Sequence, residues 1–170
     1  AEIIRNGMVK DEDIPHFMDK IRDESSRLLA LIDEVIKLSK LDEGEVSSER
    51  EDIDLLAMAG QIVKNFAKAA SDSDVDVSIE GERVFVQGIR HIVEEMLSNL
   101  VDNAIKYNVP GGQVDIGITK IEGGAKFVVR DTGIGIPKED EPRVFERFYR
   151  GDKSHSKTIE GTGLGLSIVR

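Results

Sequence analysis

Residues 95–108 read EMLSNLVDNAIKYN and belong to the strongest helical pattern in the chain, Ile89–Tyr107. Glu95, Asn99 and Asn103 stand four residues apart and would form a polar stripe, extended by Asp102 and Lys106. Apolar residues recur every three or four positions and would form the opposite face of the helix: Ile92, Val93, Met96, Leu97, Leu100, Val101, Ala104 and Ile105. This segment therefore predicts an amphipathic helix that covers a core.

The two asparagines in the polar stripe suggest a function. An ordinary solvated helix face would account for the charges, but such faces favour Glu, Lys or Gln because asparagine is a poor helix former. The amide oxygens of Asn99 and Asn103 are neutral, hard ligands that suit Mg²⁺ shared with phosphates. From these residues alone, a solvated face and a metal–phosphate site both remain open.

Two glycine-rich runs follow this helix. The first, FVVRDTGIGIP (127–137), places Asp131 at a strand end, where its carboxylate could accept a hydrogen bond from an exocyclic amine such as that of adenine. Gly133 and Gly135 would let the backbone approach a flat ring because they lack a Cβ. A glycine-rich turn without function is the alternative.

The second run, EGTGLGLSIVR (160–170), places Gly161, Gly163 and Gly165 at the start of a helix predicted over Leu164–Arg170. Free N–H groups and the helix dipole at such a terminus suit phosphate, and a flexible hinge is the alternative. Neither run has the dinucleotide-binding or P-loop spacing. The H-R-D and D-F-G elements of eukaryotic-type protein kinases are also absent from the sequence.

The segment between the two runs, PRVFERFYRGDKSHSK (142–157), predicts a loop over the site. We expect Phe145 and Phe148 to anchor this loop to the domain body. Arg147 and Arg150 could reach a phosphate, whereas Lys153 is better explained as a solvated side chain.

The N-terminal residues 1–44 have a different pattern. Ala1–Met8 resembles the end of a helix, and apolar residues then recur every seven positions at Ile14, Ile21, Leu28 and Val35. Phe17, Met18, Leu31, Ile32 and Leu38 widen this stripe. The pattern predicts one long helix, with Asp13 as N-cap and Pro15 in its first turn, that ends near Leu41 and needs partner helices. The polar segment DEGEVSSERED (42–52) predicts a linker.

The remaining segments alternate between helix and strand. A short strand ends at Ile53–Leu55, and a helix is predicted over Leu56–Ala70. Strands are predicted at Val75–Ile79 and Val84–Val86, joined at residues 80–82, and at Val114–Ile121 and Lys126–Arg130, which form a hairpin around Gly123 and Gly124. We therefore expect an α/β sandwich, a mixed sheet with helices over one face.

The composition excludes several classes of protein. A net charge of −10 without a basic stripe is untypical of a duplex-DNA-binding protein, and the absence of cysteine excludes disulfides and thiolate metal sites. His16, His91 and His155 do not have metal-ligand spacing. No apolar stretch approaches the ~20 residues of a membrane span, and no signal peptide is visible. Because the chain starts without Met and stops within GLGLSIVR, we expect a piece of a longer protein.

Four segments taken in order resemble the catalytic and ATP-binding domain of bacterial sensor histidine kinases. EMLSNLVDNAIKYN is similar to its N-box, DTGIGI to its first G-box, FERFYR to its F-box and GTGLGL to its second G-box. IRDESSRLLALIDEVIKLSKLDEGE (21–45) is similar to the second helix of the family's dimerisation and phosphoacceptor hairpin, and AEIIRNGM (1–8) to the end of the first helix. FYRGDKSHSKTIEGTGLGLSIV (148–169) is most similar to the phosphate-regulon type of sensor.

The resemblance implies two domains, a partial hairpin over 1–44 and an ATP-binding catalytic domain over 45–170 that lacks its closing strands. It implies ATP and Mg²⁺ as cofactors, with Asn103 and Asn99 as metal ligands and with Asn99, Lys106 and Arg150 in catalysis. The cofactor-binding residues that it implies are Asn99, Asn103, Lys106, Tyr107, Asp131, Gly133, Gly135, Ile136, Arg150, Gly161, Thr162, Gly163, Leu164 and Gly165.

The resemblance also implies a reaction, transfer of the ATP γ-phosphoryl to a histidine and then to an aspartate of a response regulator. The family's H-box is absent, so we expect the phosphoacceptor histidine about a dozen residues before Ala1. Related gyrase-type and Hsp90-type ATPases carry a glutamate base where this chain has Asn99, which predicts slow hydrolysis. We expect a homodimer through the hairpin and a cytoplasmic part of an inner-membrane-anchored sensor. A same-superfamily ATPase of another class and a nucleotide-free scaffold are the alternatives.

Overall fold

The computed structural model describes residues 10–42, 49–149, 151 and 163–169. The chain divides into two compact units, Ala1–Val46 and Ser47–Arg170. The boundary between the units falls inside the polar segment for which the sequence predicts a linker. The predicted helix end at Ala1–Met8 lies outside the described residues.

The first unit contains one long helix. A short 3₁₀ turn, Asp11–Asp13, leads into α1, Ile14–Asp42, so Asp13 directly precedes the helix and Pro15 lies in its first turn, as predicted. Five residues of the apolar stripe are exposed, Phe17, Met18, Ile21, Leu28 and Ile32, and so are the neighbouring Leu29 and Ile36. The long amphipathic helix is thus confirmed. No helix in the described part of the chain is long and apolar enough to cross a membrane.

The second unit alternates strands and helices. Its elements in chain order are β1 Glu51–Asp54, α2 Leu55–Asp72, β2 Val75–Gly81, β3 Phe85–Gly88, α3 Arg90–Lys106, β4 Gly112–Ile121, β5 Gly124–Asp131 and α4 Gly165–Ile168. The Asp54 carboxylate caps α2 by accepting a hydrogen bond from the Ala57 N–H at 3.1 Å. The final helix α4 is shorter than the sequence predicts.

The strands form two separate sheets. One is three-stranded in the order β2-β4-β5, with β2 parallel to β4 and β4 antiparallel to β5. The other pairs β1 with β3 in antiparallel register. The predicted hairpin of β4 and β5 and the mixed sheet are therefore confirmed. Although β2 and β3 follow each other closely along the chain, they lie in different sheets.

The core lies between the three-stranded sheet and helices α2 and α3. Strand β4 alternates strictly, with Val114, Ile116 and Ile118 buried and the residues between them more exposed. The helices contribute Ile62, Leu97 and Val101 to the same core. Helices over one face of a mixed sheet make the two-layer α/β sandwich that the sequence predicts, and this packing orients α3.

Candidate functional site

The polar stripe of α3 is not an ordinary solvated face. Glu95, Asn99, Asp102, Asn103 and Lys106 are all half-buried, and the apolar face behind them is packed into the core. Helix α4 contacts α3. A half-buried polar stripe requires partners for its hydrogen-bonding groups, so the structure favours the functional explanation over the solvated one.

Asn99 carries the clearest sign of a missing partner. Its Nδ2 atom is buried and has no hydrogen-bond partner among the described residues. Leaving such a donor unsatisfied costs about 1–3 kcal/mol, which is uncommon without a functional reason. A Cβ added at Gly165 would lie 3.0 Å from Asn99 Oδ1, so α3 and the second glycine run come together at this residue. The unpaired Nδ2 donor calls for an acceptor, such as a phosphate oxygen or a metal-bound water.

The described residues contain no group of three or more His, Cys, Asp or Glu side chains that could hold a metal ion. Asn99 and Asn103, on adjacent turns of α3, could offer amide oxygens to a cation whose other ligands come from the bound molecule. This donor set fits a hard divalent cation bound together with phosphates and would not hold one alone.

The turn after β5 presents Asp131 to solvent. One carboxylate oxygen of Asp131 accepts a hydrogen bond from the Gly133 N–H at 3.0 Å, and the side chain is otherwise exposed. The next amide, Ile134 N–H, donates to the carbonyl of Tyr107 at the end of α3 at 3.0 Å. These bonds hold the Asp131 turn against the C-terminal end of the helix that carries both asparagines.

The two glycines of the first run differ in what an added side chain would meet. A Cβ at Gly133 would overlap the carbonyl oxygen of Tyr107 and lie 3.0 Å from Asn108 Cα, so this glycine permits contact with α3. Gly135 has a φ of +70°, and a Cβ there would meet nothing within 4 Å. Open space beside Gly135 and the exposed Ile136 is compatible with the approach of a ring, whereas the Cβ position of Gly133 faces the protein.

The predicted anchors of the loop are wrong. Phe145 is 41% exposed and Phe148 is 57% exposed, so neither side chain anchors residues 142–149 to the domain body. Phe148 instead has a φ of +64°, and its N–H donates to the Gly163 carbonyl at 2.9 Å. A Cβ at Gly163 would lie 2.7 Å from the Tyr149 carbonyl oxygen. The loop thus contacts the second glycine run through its backbone, in a strained conformation of a type that clusters at functional sites.

A polar cluster stabilises this loop internally. The Tyr149 hydroxyl donates to the Asp140 carboxylate at 2.5 Å, and the Arg143 guanidinium lies 4.1 Å from the centre of the Tyr149 ring. The hydrogen bond to Asp140, together with desolvation, raises the pKa of Tyr149 above its ordinary value of 10.0. The sequence pattern did not reveal this cluster, because it depends on the fold of residues 137–149.

Three predicted site residues, Arg150, Gly161 and Thr162, lie outside the described residues. Lys153 and His155, for which the sequence predicts no role in the site, lie outside them as well. Leu164, between Gly163 and Gly165, is fully buried. Lys106 and Tyr107 end α3 next to the Asp131 turn, where both are half-buried.

Sequence reasoning missed Asn108, the residue immediately after α3. It forms side-chain hydrogen bonds to α3, to the start of β4 and to the turn after Asp131. An asparagine directly after the last helical turn is a usable signal, since its side chain commonly bonds nearby backbone. Its partners, however, lie up to 24 positions away in the sequence.

The sandwich and the asparagine-bearing helix beside a glycine turn define a class of ATP-binding α/β domain. Residues 88–170 match the family model described as histidine kinase-, DNA gyrase B- and HSP90-like ATPase. Among solved structures, a mycobacterial sensor histidine kinase, MprB, is 30% identical with a TM-score of 0.62, over 71% of this chain and 75% of that one. The chain therefore belongs to the sensor histidine kinase family.

Two further relatives agree with this assignment. The sensor-like histidine kinase SenX3 of Mycobacterium tuberculosis is 34% identical over 100% of this chain and 42% of its own length. The catalytic domain of histidine kinase ThkA is 27% identical with a TM-score of 0.63, over 72% of this chain and 78% of that one. The chain thus spans less than half of the SenX3 relative that it matches.

Proposed function

We propose that this chain is the ATP-binding catalytic part of a two-component sensor histidine kinase. It would transfer the γ-phosphoryl of Mg·ATP to a histidine outside these residues, from which the group passes to a response-regulator aspartate. The observation that carries the proposal is the buried, unpartnered Nδ2 of Asn99 within a half-buried polar stripe beside Gly165. A solvated helix face or an idle scaffold gives no reason for that arrangement.

The residues of the chain would bind and orient the nucleotide. Mg·ATP supplies the transferable phosphoryl group, and the protein contributes positioning and charge neutralisation. Asn103 and Asn99 would hold the cation and phosphate oxygens, while Lys106, in the last turn of α3, would offset phosphate charge. Asp131 has an exposed carboxylate that could accept a hydrogen bond from the adenine amino group.

Further residues of the proposed nucleotide-binding site have roles that rest on the family resemblance. Arg150 would contact the γ-phosphate, and Tyr107 and Ile136 would line the nucleoside. The backbone of Gly161, Thr162, Gly163, Leu164 and Gly165 would approach the phosphates. Among the described residues, a Cβ added at Gly163 would lie 2.7 Å from the Tyr149 carbonyl oxygen, and one added at Gly165 would lie 3.0 Å from Asn99 Oδ1.

The chain would hydrolyse ATP slowly. An amide such as that of Asn99 cannot take a proton from an attacking water, and Glu95 lies one helical turn away with an interaction of its own. The γ-phosphoryl group would therefore be reserved for a protein nucleophile.

The proposed partners follow from the family. ThkA is solved in complex with the response regulator protein TrrA, which supports a response regulator as a partner for this chain. The exposed apolar stripe of α1 supports homodimerisation through the helical hairpin of the whole protein. We also propose the phosphate-regulon type of sensor, on the resemblance of residues 148–169. We also propose a cytoplasmic location for this part of a membrane-anchored sensor.

Calorimetric titration with Mg·ATP tests the proposal. We expect the parent chain to bind, and Asp131→Asn to bind about tenfold more weakly, because the neutral amide oxygen accepts a weaker hydrogen bond than the carboxylate does (about 1.4 kcal/mol less). Asp76→Asn is the matched control, since Asp76 is an exposed aspartate on β2, at the other edge of the same sheet. A parent chain that does not bind Mg·ATP would support the scaffold alternative and overturn the proposal.

A second measurement distinguishes the kinase from a hydrolytic ATPase. The parent chain should turn over ATP slowly, and Asn99→Glu, which installs a base on the same turn of α3, should raise the rate of phosphate release. Vigorous hydrolysis by the parent would favour an ATPase of another class. An Asn99→Glu chain that binds Mg·ATP with no rise in hydrolysis would contradict the role given to Asn99.

A further inference from the structure

Asn108 connects two parts of the candidate site that the sequence treats separately. The residue is half-buried and directly follows Tyr107, the C-cap residue of α3. Its side-chain Nδ2 donates to the Ala104 carbonyl of α3 at 3.0 Å and to the Gln113 carbonyl of β4 at 3.1 Å. Both amide hydrogens are therefore used to hold the helix end against the first residues of the strand.

The amide oxygen of Asn108 accepts two further hydrogen bonds. The donors are Val109 N–H at 2.9 Å and the Thr132 hydroxyl at 3.3 Å. Thr132 Oγ1 in turn accepts from Gln113 N–H at 2.8 Å, and Thr132 N–H donates to the Gln113 carbonyl at 3.1 Å. Every donor and acceptor position of the Asn108 amide is thus occupied, which is the full capacity of this side chain.

The backbone is also closely packed at this junction of Asn108, Gln113 and Thr132. A Cβ at Gly112 would overlap Asn108 Oδ1, and a Cβ at Gly133 would lie 3.0 Å from Asn108 Cα. Two glycines therefore allow the strand start and the turn after β5 to close on Asn108 from both sides. Such a junction has little freedom to shift, because each of its polar atoms is already paired.

We propose that Asn108 is a positioning residue that determines adenine specificity. It fixes the Asp131 turn against the helix that carries Asn99 and Asn103. This inference rests on the proposed function: the base is read at Asp131 while the phosphates are held on α3, so both contacts form together only if the two segments keep their spacing. Thr132, the residue next to Asp131, is the direct link to Asn108.

The inference predicts a selective loss. Adenine presents an amino group where guanine presents a carbonyl oxygen, so Asp131 should favour Mg·ATP over Mg·GTP. Loosening the junction in Asn108→Ala should weaken Mg·ATP binding about tenfold and Mg·GTP binding less than twofold, since phosphate contacts on α3 remain. A residue with a merely structural role would lower both affinities by the same factor.

The experiment titrates the whole chain with Mg·ATP and Mg·GTP by calorimetry. Asn65→Ala is the matched control, because Asn65 is an exposed asparagine of α2 whose side-chain oxygen accepts a hydrogen bond from Gln61 of the same helix. Thr132→Val removes a single member of the junction and should reduce the preference for ATP about threefold even if Asn108→Ala does not fold. Asn108→Asp places a carboxylate oxygen opposite the Ala104 and Gln113 carbonyl oxygens, so its preference for ATP should fall at least as far as that of Asn108→Ala.

The outcomes separate the two proposals. A parent chain that binds neither nucleotide overturns the proposed function. A parent that prefers Mg·ATP, with Asn108→Ala and Thr132→Val retaining that preference, overturns the role of Asn108 and leaves the proposed function standing. An equal loss for both nucleotides in these variants also overturns it. A fall in preference with Mg·GTP binding unchanged supports the inference.

Discussion

Substituting Gly133 by alanine tests how the Asp131 turn is held. The φ of Gly133 is outside the left-handed region, so alanine can adopt the backbone conformation without torsional strain. Its Cβ, however, would overlap the carbonyl oxygen of Tyr107 and lie 2.9 Å from the Asp131 carboxylate. Both neighbours belong to the site, and a backbone carbonyl cannot move aside as a flexible side chain can. The turn itself must therefore move away from α3.

That displacement would break two hydrogen bonds, Gly133 N–H to Asp131 and Ile134 N–H to Tyr107, both 3.0 Å long. Each contributes about 1 kcal/mol to the free energy of unfolding. Alanine also lowers the conformational entropy of the unfolded chain, which offsets this loss of stability by about 0.4–1 kcal/mol. We therefore expect Gly133→Ala to destabilise the second unit by about 1–2 kcal/mol and to weaken Mg·ATP binding, because Asp131 loses its fixed orientation.

Urea denaturation followed by tyrosine fluorescence measures this effect. The chain has two tyrosines and no tryptophan, and Tyr107 and Tyr149 both lie in the second unit, so the signal reports on that unit alone. Gly124→Ala is the control, because Gly124 begins β5 and a Cβ there would meet nothing within 4 Å. It should change the free energy of unfolding by less than about 0.5 kcal/mol. A Gly133→Ala chain with the stability and affinity of the control would refute the steric reasoning.

Three further predictions concern stability. Leu97→Ala, at a residue only 1% exposed, should lower the free energy of unfolding by about 2–5 kcal/mol in the same assay. Ile121→Ala, at a residue 50% exposed, should lower it far less, and equal losses would argue against the described core. Gly60→Ala, inside α2 with nothing within 4 Å of the added Cβ, should raise the free energy by about 0.5–1 kcal/mol; a decrease would indicate an unseen contact. Hydrogen bonds from the Ala57 N–H and then from Arg83 lower the pKa of Asp54 below its ordinary value of 3.8. The ionised Asp54 side chain therefore adds to the free energy of unfolding above pH 3.8, and this contribution is lost as the pH falls through the folded pKa. The free energy of unfolding of Asp54→Ala should therefore be lower than that of the parent at pH 7, and the difference should shrink as the pH is lowered below 3.8; a difference independent of pH would contradict this cause.

Local patterns predicted most of the elements. The three- and four-residue spacing of α3, the alternation of β4 and the seven-residue repeat of α1 each arise from contacts made by neighbouring turns or alternate residues. The asparagines and Asp131 could be singled out for the same reason, since their chemistry is unusual for their local setting. What these patterns could not show was which strands pair: β2 and β3 are neighbours in sequence but belong to different sheets.

Residues 142–149 show where local reasoning fails. Aromatic residues in a polar loop favour burial, which led to the wrong expectation that Phe145 and Phe148 act as anchors. In the structure Phe148 has a left-handed backbone whose N–H reaches Gly163, and Tyr149 is held by Asp140. Backbone conformation and a hydrogen bond decide this geometry, and neither leaves a periodic trace in the sequence.

The sequence by itself determined the amphipathic α3, its polar stripe and the glycine runs that carry the resemblance to the family. The tertiary structure decided how these parts meet. It showed that Gly133 faces α3, that Asn99 has a buried donor to satisfy, and that Asn108 joins residues as distant as Thr132. The physical reason is range: periodicity reports on contacts within a few residues, whereas the site is assembled by hydrogen bonds and close approaches between segments that are far apart along the chain.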